Sequence, residues 1–401
     1  LPTGIPAMLN GDSKAVTTAL TIWAINPYGE TVNGTLTAWD ETNTELGNQP
    51  LTLPANGKIA LDLATFDELG YDNITLTADH FLYLVADVSG DAFRFTCYQP
   101  LETAKQLIVP HIAEERDQWD TMAFLSNYRN IGVNLTVHGD TTGLEAQKRV
   151  QQNLTGYLPE SVTESESWGA FQGRMDTPFT NTNSLTGFEA FIRKGSDGAA
   201  VRLTSRTSNT LVIPHIPTET SIFWTGFAFV NPFDEPVTAT ATLYNNGGTI
   251  IGTYPLSVPA NSKVKGVLTD IFPDAAGSAT WGMIQTDGSG LIGIELFGTF
   301  HDGICGFPLS GHTAETGIFP LTETESGNWS GLAFANPNGE TAVLKLELMG
   351  ANGEVKAINE TEIVPMSRSA AVAGNLFSLT ELESGDYLRF TSTVPLAAVS
   401  V

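Results

Sequence analysis

The sequence predicts an all-β chain of four tandem immunoglobulin-like β-sandwich domains. Three observations predict it: a strand-and-turn motif that recurs along the chain, short apolar runs between turn residues, and a composition rich in Thr and poor in charge. A chain of 401 residues is also longer than one ordinary core accommodates. The predicted domains are 1–106, 107–210, 211–315 and 316–401, the second divergent and the fourth lacking a last strand.

The recurring motif is an apolar strand that ends in a polar turn. Three copies end in Asn26-Pro27, Asn231-Pro232 and Asn336-Pro337, and a weaker copy has Ser126-Asn127 in their place. Two further features recur at the same interval. One is the proline that opens each unit, at Pro6, Pro110, Pro214 and Pro320. The other is a later turn, at Pro54–Lys58, Pro259–Lys263 and Pro365–Ser369. Several anchors in one register indicate a repeat of roughly 100 residues. The second copy carries extra residues at Asp176–Ser184.

The third copy shows the strand pattern of one unit most clearly. Glycine and asparagine between its apolar runs supply the positive φ that tight turns need. Its predicted strands are Phe223–Val230, Val237–Tyr244, Ile250–Val258, Lys263–Leu268, Thr280–Gln285, Leu291–Phe297 and Ile304–Leu309, with a short helical turn at Asp270–Asp274. This number of short strands is typical of a β-sandwich. The alternative is an eight-bladed β-propeller with two blades per repeat, but the two halves of a unit show no similarity.

Composition limits the classes of partner. Acidic residues outnumber basic ones 44 to 19, and the formal charge is −25. Phosphate binding needs Lys and Arg, so nucleic acid is not an expected partner. No run of 18 apolar residues occurs, so we expect no membrane insertion in this segment. Two cysteines are too few for a disulfide scaffold.

The motif Pro214-His215 through Trp224-Thr-Gly-Phe-Ala-Phe-Val-Asn231-Pro232, with Pro259 through Phe272, resembles a tandem repeat of bacterial secreted and cell-surface proteins. The resemblance covers essentially the whole chain. It implies immunoglobulin-like modules that accompany other domains, and an extracellular or cell-surface location. It carries no catalytic residues, and the second copy departs from it at Ser126-Asn127.

Three tryptophans are candidate ligand residues, because Trp119, Trp224 and Trp329 are predicted to share one repeat position. An exposed Trp at that position would offer a stacking platform for sugar, whereas a buried one would belong to the core. The first copy has Ala19 there and Trp23 four residues later, which favours the core interpretation.

Three carboxylates are candidate cation ligands, because Asp87, Glu189 and Glu295 are also predicted to share a position, with Ser400 in the fourth copy. A carboxylate within an apolar strand usually faces solvent or a backbone donor. The sequence contains neither an Asp-x-Asp-x-Asp-Gly calcium loop nor a His-x-x-x-His pair. We therefore predict no cofactor, with calcium as a weak candidate.

Catalytic motifs such as Gly-x-Ser-x-Gly, a phosphate loop and His-Glu-x-x-His do not occur in the sequence. We predict a protein that is not an enzyme and acts as a stalk, spacer or adhesive segment, with a surface glycan or protein as partner. The alternatives are a glycan-binding module array and an accessory region of a larger secreted enzyme.

The end of the chain gives one further expectation. Val394–Val401 aligns with the strand Gly290–Leu296 of the third copy, and no counterpart of Ile304–Leu309 follows. An unpaired strand edge would invite pairing with another chain. Either the natural protein continues, which we favour, or strand-mediated self-association completes the fourth domain.

Overall fold

The structure is a computed structural model, and it describes residues 3–5, 19–40, 42, 44–67, 69–71, 73–90, 93–98, 103–127, 132–144, 149–174, 185–194, 198–300, 303–321, 330–377, 382–383 and 385–400. The chain is all-β, with antiparallel sheets and a few very short helices. It divides into two compact units. The first comprises Leu1–Ala55 and Ile59–Ser205, and the second comprises Asn56–Lys58 and Arg206–Val401.

The first unit contains the strands of the first two repeats. These are β1 Thr3–Ile5, β2 Ala19–Ile25, β3 Val32–Trp39, β4 Glu45–Leu53, β5 Lys58–Ala60, β6 Asn73–Ala78, β7 Tyr83–Gly90, β8 Phe93–Tyr98, β9 Gln106–Val109, β10 Trp119–Asn127, β11 Val133–Val137, β12 Asp140–Leu144, β13 Arg149–Asn153, β14 Gly169–Gly173, β15 Leu185–Arg193 and β16 Gly198–Arg202. Its helices are α1 Ala64–Asp67 and two 3₁₀ turns, Leu154–Tyr157 and Glu164–Glu166.

The second unit contains the strands of the third and fourth repeats. These are β17 Thr210–Ile213, β18 Phe223–Asn231, β19 Val237–Tyr244, β20 Ile250–Val258, β21 Ser262–Val267, β22 Trp281–Thr286, β23 Ile292–Thr299, β24 Ile304–Leu309, β25 Ala314–Pro320, β26 Gly331–Asn336, β27 Ala342–Met349, β28 Val355–Ile363, β29 Ser367–Val372 and β30 Tyr387–Ser400. Its helices are α2 Leu268–Ile271 and α3 Ala373–Leu376.

The first three repeats each form two four-stranded sheets from strands that alternate between them. In the third repeat the sheet orders are β17-β22-β19-β20 and β21-β18-β23-β24. The first two repeats use the same pattern. Each sheet therefore joins strands from both halves of its repeat, as in a sandwich. A propeller with one blade per half-repeat would need each half to form its own sheet, so that alternative is wrong.

The pattern of β19 explains why its residues form a half-buried strand. Its threonines at 238 and 240 face solvent, while Val237, Ala239 and Ala241 are buried. Such alternation fixes the register, because a shift of one residue would bury the threonines. The neighbouring edge strand β20 and its counterparts β4 and β28 are mostly exposed along their length.

The fourth repeat differs in its last strands. One continuous strand, β30, pairs first with β27 and β25 and then with β26, so it replaces the separate β22 and β23 of the third repeat. Among the described residues, the sheet of β29, β26 and β30 has three strands where the third repeat has four. The alignment of Val394–Val401 with the β23 position is therefore reproduced, since Leu332 pairs with Ser400.

Buried apolar clusters extend across repeats within each unit. In the first unit, Phe124, Phe188 and Ala190 of the second repeat pack into the core of the first repeat. In the second unit, the Tyr244 and Trp281 rings stack with centroids 4.5 Å apart and pack with Ala335 and Ala397 of the fourth repeat. Paired repeats within a unit thus share buried surface.

One turn corrects the predicted repeat register. The turns before β5, β21 and β29 each place one residue at positive φ: Asn56 at 51°, Asn261 at 47° and Met366 at 55°. Met366 is therefore the counterpart of Asn261, and Val364 rather than Pro365 matches Pro259. The proline spacing misled the alignment by one residue, because Pro365 lies one position further into the turn.

No helix among the described residues is long and apolar enough to cross a membrane. Four positions of the sequence-based predictions lie outside the described residues: Pro6, the extra segment Asp176–Ser184, Trp329, and the side chain of Asp87.

Candidate functional site

The asparagine that ends the recurring strand is a hydrogen-bonded latch inside the fold. Asn231 Nδ2 donates to the carbonyl oxygens of Glu235 (2.8 Å), Val258 (3.2 Å) and Pro259 (2.9 Å), and its Oδ1 accepts from Phe233 N (3.0 Å). Asn26 and Asn336 are fully buried; Asn336 makes the four corresponding bonds and Asn26 makes three of them. The repeated Asn-Pro motif therefore joins a turn to the edge strand of the opposite sheet.

In the second repeat, the asparagine that ends the recurring strand lies one residue later than the sequence alignment predicted. Asn127 is fully buried at the end of β10, and β10 and β18 have the same length and the same burial pattern. Asn127 thus occupies the position of Asn231, and Trp119 that of Phe223. The predicted equivalence of Trp119 with Trp224 is wrong by one residue, so the two rings lie on opposite faces of their strands.

Trp119 and Trp224, the two candidate ligand tryptophans that the structure describes, are both partly buried. Trp119 is half-buried, and the Arg193 guanidinium lies over its ring, with Cζ 5.1 Å from the centroid. Trp224 is half-buried, and its Nε1 donates to Thr299 O at 3.1 Å. Trp329 lies outside the described residues.

The acidic position behaves differently in each repeat. Glu295 pairs in register with Phe227 and Phe307, and Glu189 with Ala123 and Val201. Both glutamates are fully buried on the core face of their sheets. These two therefore share one position in the sandwich.

Asp87 does not share that position. It pairs with Thr21, whereas the counterpart of the Phe227–Glu295 pair is Ile22 with Ala86. In the backbone register, Asp87 is therefore displaced by one residue from the position of Glu295. The three candidate cation ligands are thus not equivalent, and no group of three or more His, Cys, Asp or Glu that could hold a metal ion occurs among the described residues.

Glu295 is a buried carboxyl group without a hydrogen-bond partner among the described residues. Burial raises the pKa of Glu295 well above its ordinary value, and the positive charge of Arg368 opposes this effect. Burial therefore favours the neutral, protonated form of this carboxyl group over the charged form.

A cation that sequence reasoning missed lies near this carboxyl. Arg368 is the second residue of β29 in the fourth repeat and reaches into the third repeat. Its Nη1 donates to His215 Nδ1 at 2.6 Å and to Thr280 O at 2.9 Å, and its Nε donates to Asn246 Oδ1 at 3.1 Å. These bonds hold the two repeats of the second unit together.

The contact with Arg368 fixes the state of His215. An Arg can only donate, so His215 Nδ1 accepts and the imidazole is neutral with its proton on Nε2. Burial, together with the Arg368 charge, lowers the pKa of His215 to about 3. The ring packs against Phe297 with centroids 5.3 Å apart, as His111 packs against Phe191 in the second repeat.

The thiol of Cys305 lies beside the same cluster. Burial first, and then the nearby Glu295 carboxyl, raises the pKa of Cys305 well above its ordinary value. Its Sγ donates to Phe297 O at 3.5 Å. A protonated thiol in such surroundings is a packing group rather than a nucleophile.

An open cavity of about 280 Å³ lies next to this cluster, between the third and fourth repeats of the second unit. Arg368 and His215 line one part of it, and Phe223, Phe297 and Leu332 supply apolar walls. Apolar walls with a few convergent polar groups are typical of small-molecule sites.

A recurring cation was present in the sequence and could have been recognised. Arg149, Lys263 and Arg368 each lie five residues before the residue that begins the short helical turn, at Leu154, Leu268 and Ala373. Lys58 lies five residues before Leu63, which directly precedes the turn α1. Lys58 and Lys263 are almost completely buried. A lysine or arginine at one repeat position in all four copies is a signal that the proline-based alignment concealed.

The comparisons with known proteins add no relative. No protein-family model matches the chain, and no curated protein matches it.

Proposed function

We propose that the chain is a non-catalytic repeat protein of the cell exterior that serves as a stalk, spacer or adhesive segment. The observation that supports the proposal is that residues common to the repeats are buried rather than gathered in an exposed site. The buried asparagines 26, 127, 231 and 336 and the buried cations Lys58 and Lys263 lie inside the fold. Repetition at buried positions preserves a module, as expected where a protein multiplies one building block.

The charge of the surface is consistent with a protein exposed to water, whether it lies close to a membrane or cell wall or far from it. The net charge of −25 keeps the chain soluble and disfavours nonspecific binding to anionic surfaces. A partner would then be a glycan or a protein bound weakly by several repeats, since avidity multiplies weak contacts.

The test is surface labelling of intact cells that carry the complete gene, with an epitope inserted in the exposed turn at Gly288. We expect a membrane-impermeant antibody to label intact cells. A matched strain without residues 206–401 should keep its surface label at a second epitope but lose adhesion to its natural surface. Labelling only after cell lysis would contradict the location, and undiminished adhesion would contradict the role.

A further inference from the structure

The cavity of the second unit contains hydrogen-bond donors that the protein itself does not satisfy. Nη2 of Arg368 makes no hydrogen bond to a described residue, although Nη1 and Nε are both occupied. Nε2 of His215 makes none either, and its tautomer places a proton there. Two side chains that line the cavity and contact each other therefore each retain a donor without a partner among the described residues.

The charge of Arg368 lacks a balancing anion in contact with it. No carboxylate of a described residue forms an ion pair with the guanidinium. Glu295 is near enough to influence Arg368 electrostatically but makes no hydrogen bond to it. Burial lowers the pKa of Arg368 to about 10, so the guanidinium stays charged at neutral pH. A partly buried cation of this kind attracts an anion.

The residues that line the rest of the cavity indicate which chemical group the ligand has besides its anionic group. Phe223, Phe297, Leu332 and Val372 line the cavity, and Glu219 lies at its exposed rim. A cavity of about 150 Å³ accommodates benzene, so 280 Å³ is sufficient for an aromatic ring with a short tail. Because Glu219 is exposed, water and salt screen its charge.

From this arrangement we propose that the cavity between the third and fourth repeats binds a small carboxylate with an apolar body. The carboxylate accepts hydrogen bonds from Arg368 Nη2 and His215 Nε2, and the apolar body packs against Phe297 and Leu332. This proposal does not depend on the stalk or adhesive role, because it rests on the residues that line this cavity.

The probe for this site is 3-phenylpropanoate, compared with its neutral analogue 3-phenylpropanamide, by calorimetric titration of the full chain at pH 7 and 0.15 M salt. We expect the acid to bind with a millimolar or lower dissociation constant, at least about tenfold more tightly than the amide, because hydrogen bonds to charged groups are the stronger ones. Equal affinity for the acid and the amide would overturn the proposal. So would an absence of acid binding at about 10 mM, tenfold above the highest expected dissociation constant.

Two variants locate the binding. Arg368→Met should abolish the preference for the acid while leaving weak binding of both probes. Ala370→Phe, which adds a ring at an exposed position lining the cavity and keeps Arg368, should abolish binding of both. Val343→Phe adds the same ring at an exposed position of β27 and should bind the acid like the parent chain. An undiminished preference for the acid in Arg368→Met, or in Ala370→Phe, would contradict the site, and circular dichroism confirms that each variant is folded.

Discussion

At the scale of single residues, the chain buries polar side chains inside its sandwiches and pairs several of them through hydrogen bonds. The asparagine latch makes four hydrogen bonds with one side chain, and Arg368 makes three across a repeat junction. Glu295 is one exception, as is the ring nitrogen of Trp281, since neither has a hydrogen-bond partner among the described residues. Substitutions of these residues should therefore change the unfolding free energy, or its dependence on pH, by measurable amounts.

Replacing the latch should be costly. Asn231→Ala removes four hydrogen bonds and leaves buried carbonyl groups without a donor, so we expect a loss of about 2–4 kcal/mol in unfolding free energy. Asn245→Ala is the matched control. It also removes an asparagine that accepts two backbone hydrogen bonds, but in an exposed turn, and should cost less than about 1 kcal/mol. Urea denaturation measures both, and equal losses would contradict a special role for the buried asparagine.

Glu295 should make stability depend on pH. The native state retains a proton that the unfolded chain releases near the ordinary value of 4.5, so its contribution is present at low pH and declines as pH rises toward the raised native pKa. Glu295→Gln keeps the shape and cannot ionise. We expect it to be more stable than the parent at pH 8 and equal to it at pH 4.

Thermal melting of the two chains from pH 4 to pH 8 measures this difference. Protonation of His215 destabilises the fold as pH falls from 6.5 toward about 3, but it affects both chains alike and cancels in the comparison. Parallel melting curves at every pH would show that Glu295 is not held neutral.

At the scale of strands, sequence patterning was sufficient for most of the third repeat. Its seven predicted strands all occur, with ends displaced by at most about two residues, because alternation and turn residues are local signals. The four-residue strand β17 was missed, since it is short and is stabilised by pairing with β22 rather than by its own pattern.

The site residues were less accessible from sequence. Asp87 and Trp119 were each misplaced by one residue, because a strand's register depends on hydrogen-bond partners elsewhere in the chain. Arg368 was missed because the proline-based alignment set Ser369 against Lys263, and because its contacts come from residues more than 80 positions away. Long-range pairing of this kind leaves little local trace.

Adjacent substitutions in β19 test its register directly. Thr240 is exposed and Ala241 is fully buried, although they are neighbours in the sequence. Thr240→Lys should change the unfolding free energy by less than about 0.5 kcal/mol, whereas Ala241→Lys buries a charge and should cost about 3 kcal/mol or more. Similar melting temperatures for the two variants would contradict the register.

At the scale of the whole molecule, the excess of acidic residues should govern the response to salt. With a formal charge of −25, self-repulsion disfavours the compact state, so melting temperature should rise between 0.02 and about 0.3 M NaCl as charges are screened. Millimolar calcium and magnesium should raise it equally. A larger rise with calcium would instead reveal a specific cation site.

The central claim is that the chain consists of tandem sandwich-like repeats, which is the architecture that the proposed stalk or spacer role requires. Single-molecule force spectroscopy, pulling from both ends, tests it most directly. Each unfolding repeat of roughly 100 residues should release about 300 Å of chain, from 3.3–3.6 Å per residue less the folded length. We predict discrete force peaks at that spacing, or at twice it where the two repeats of a unit unfold together. Extension without peaks, or one peak that releases the whole chain, would contradict the account.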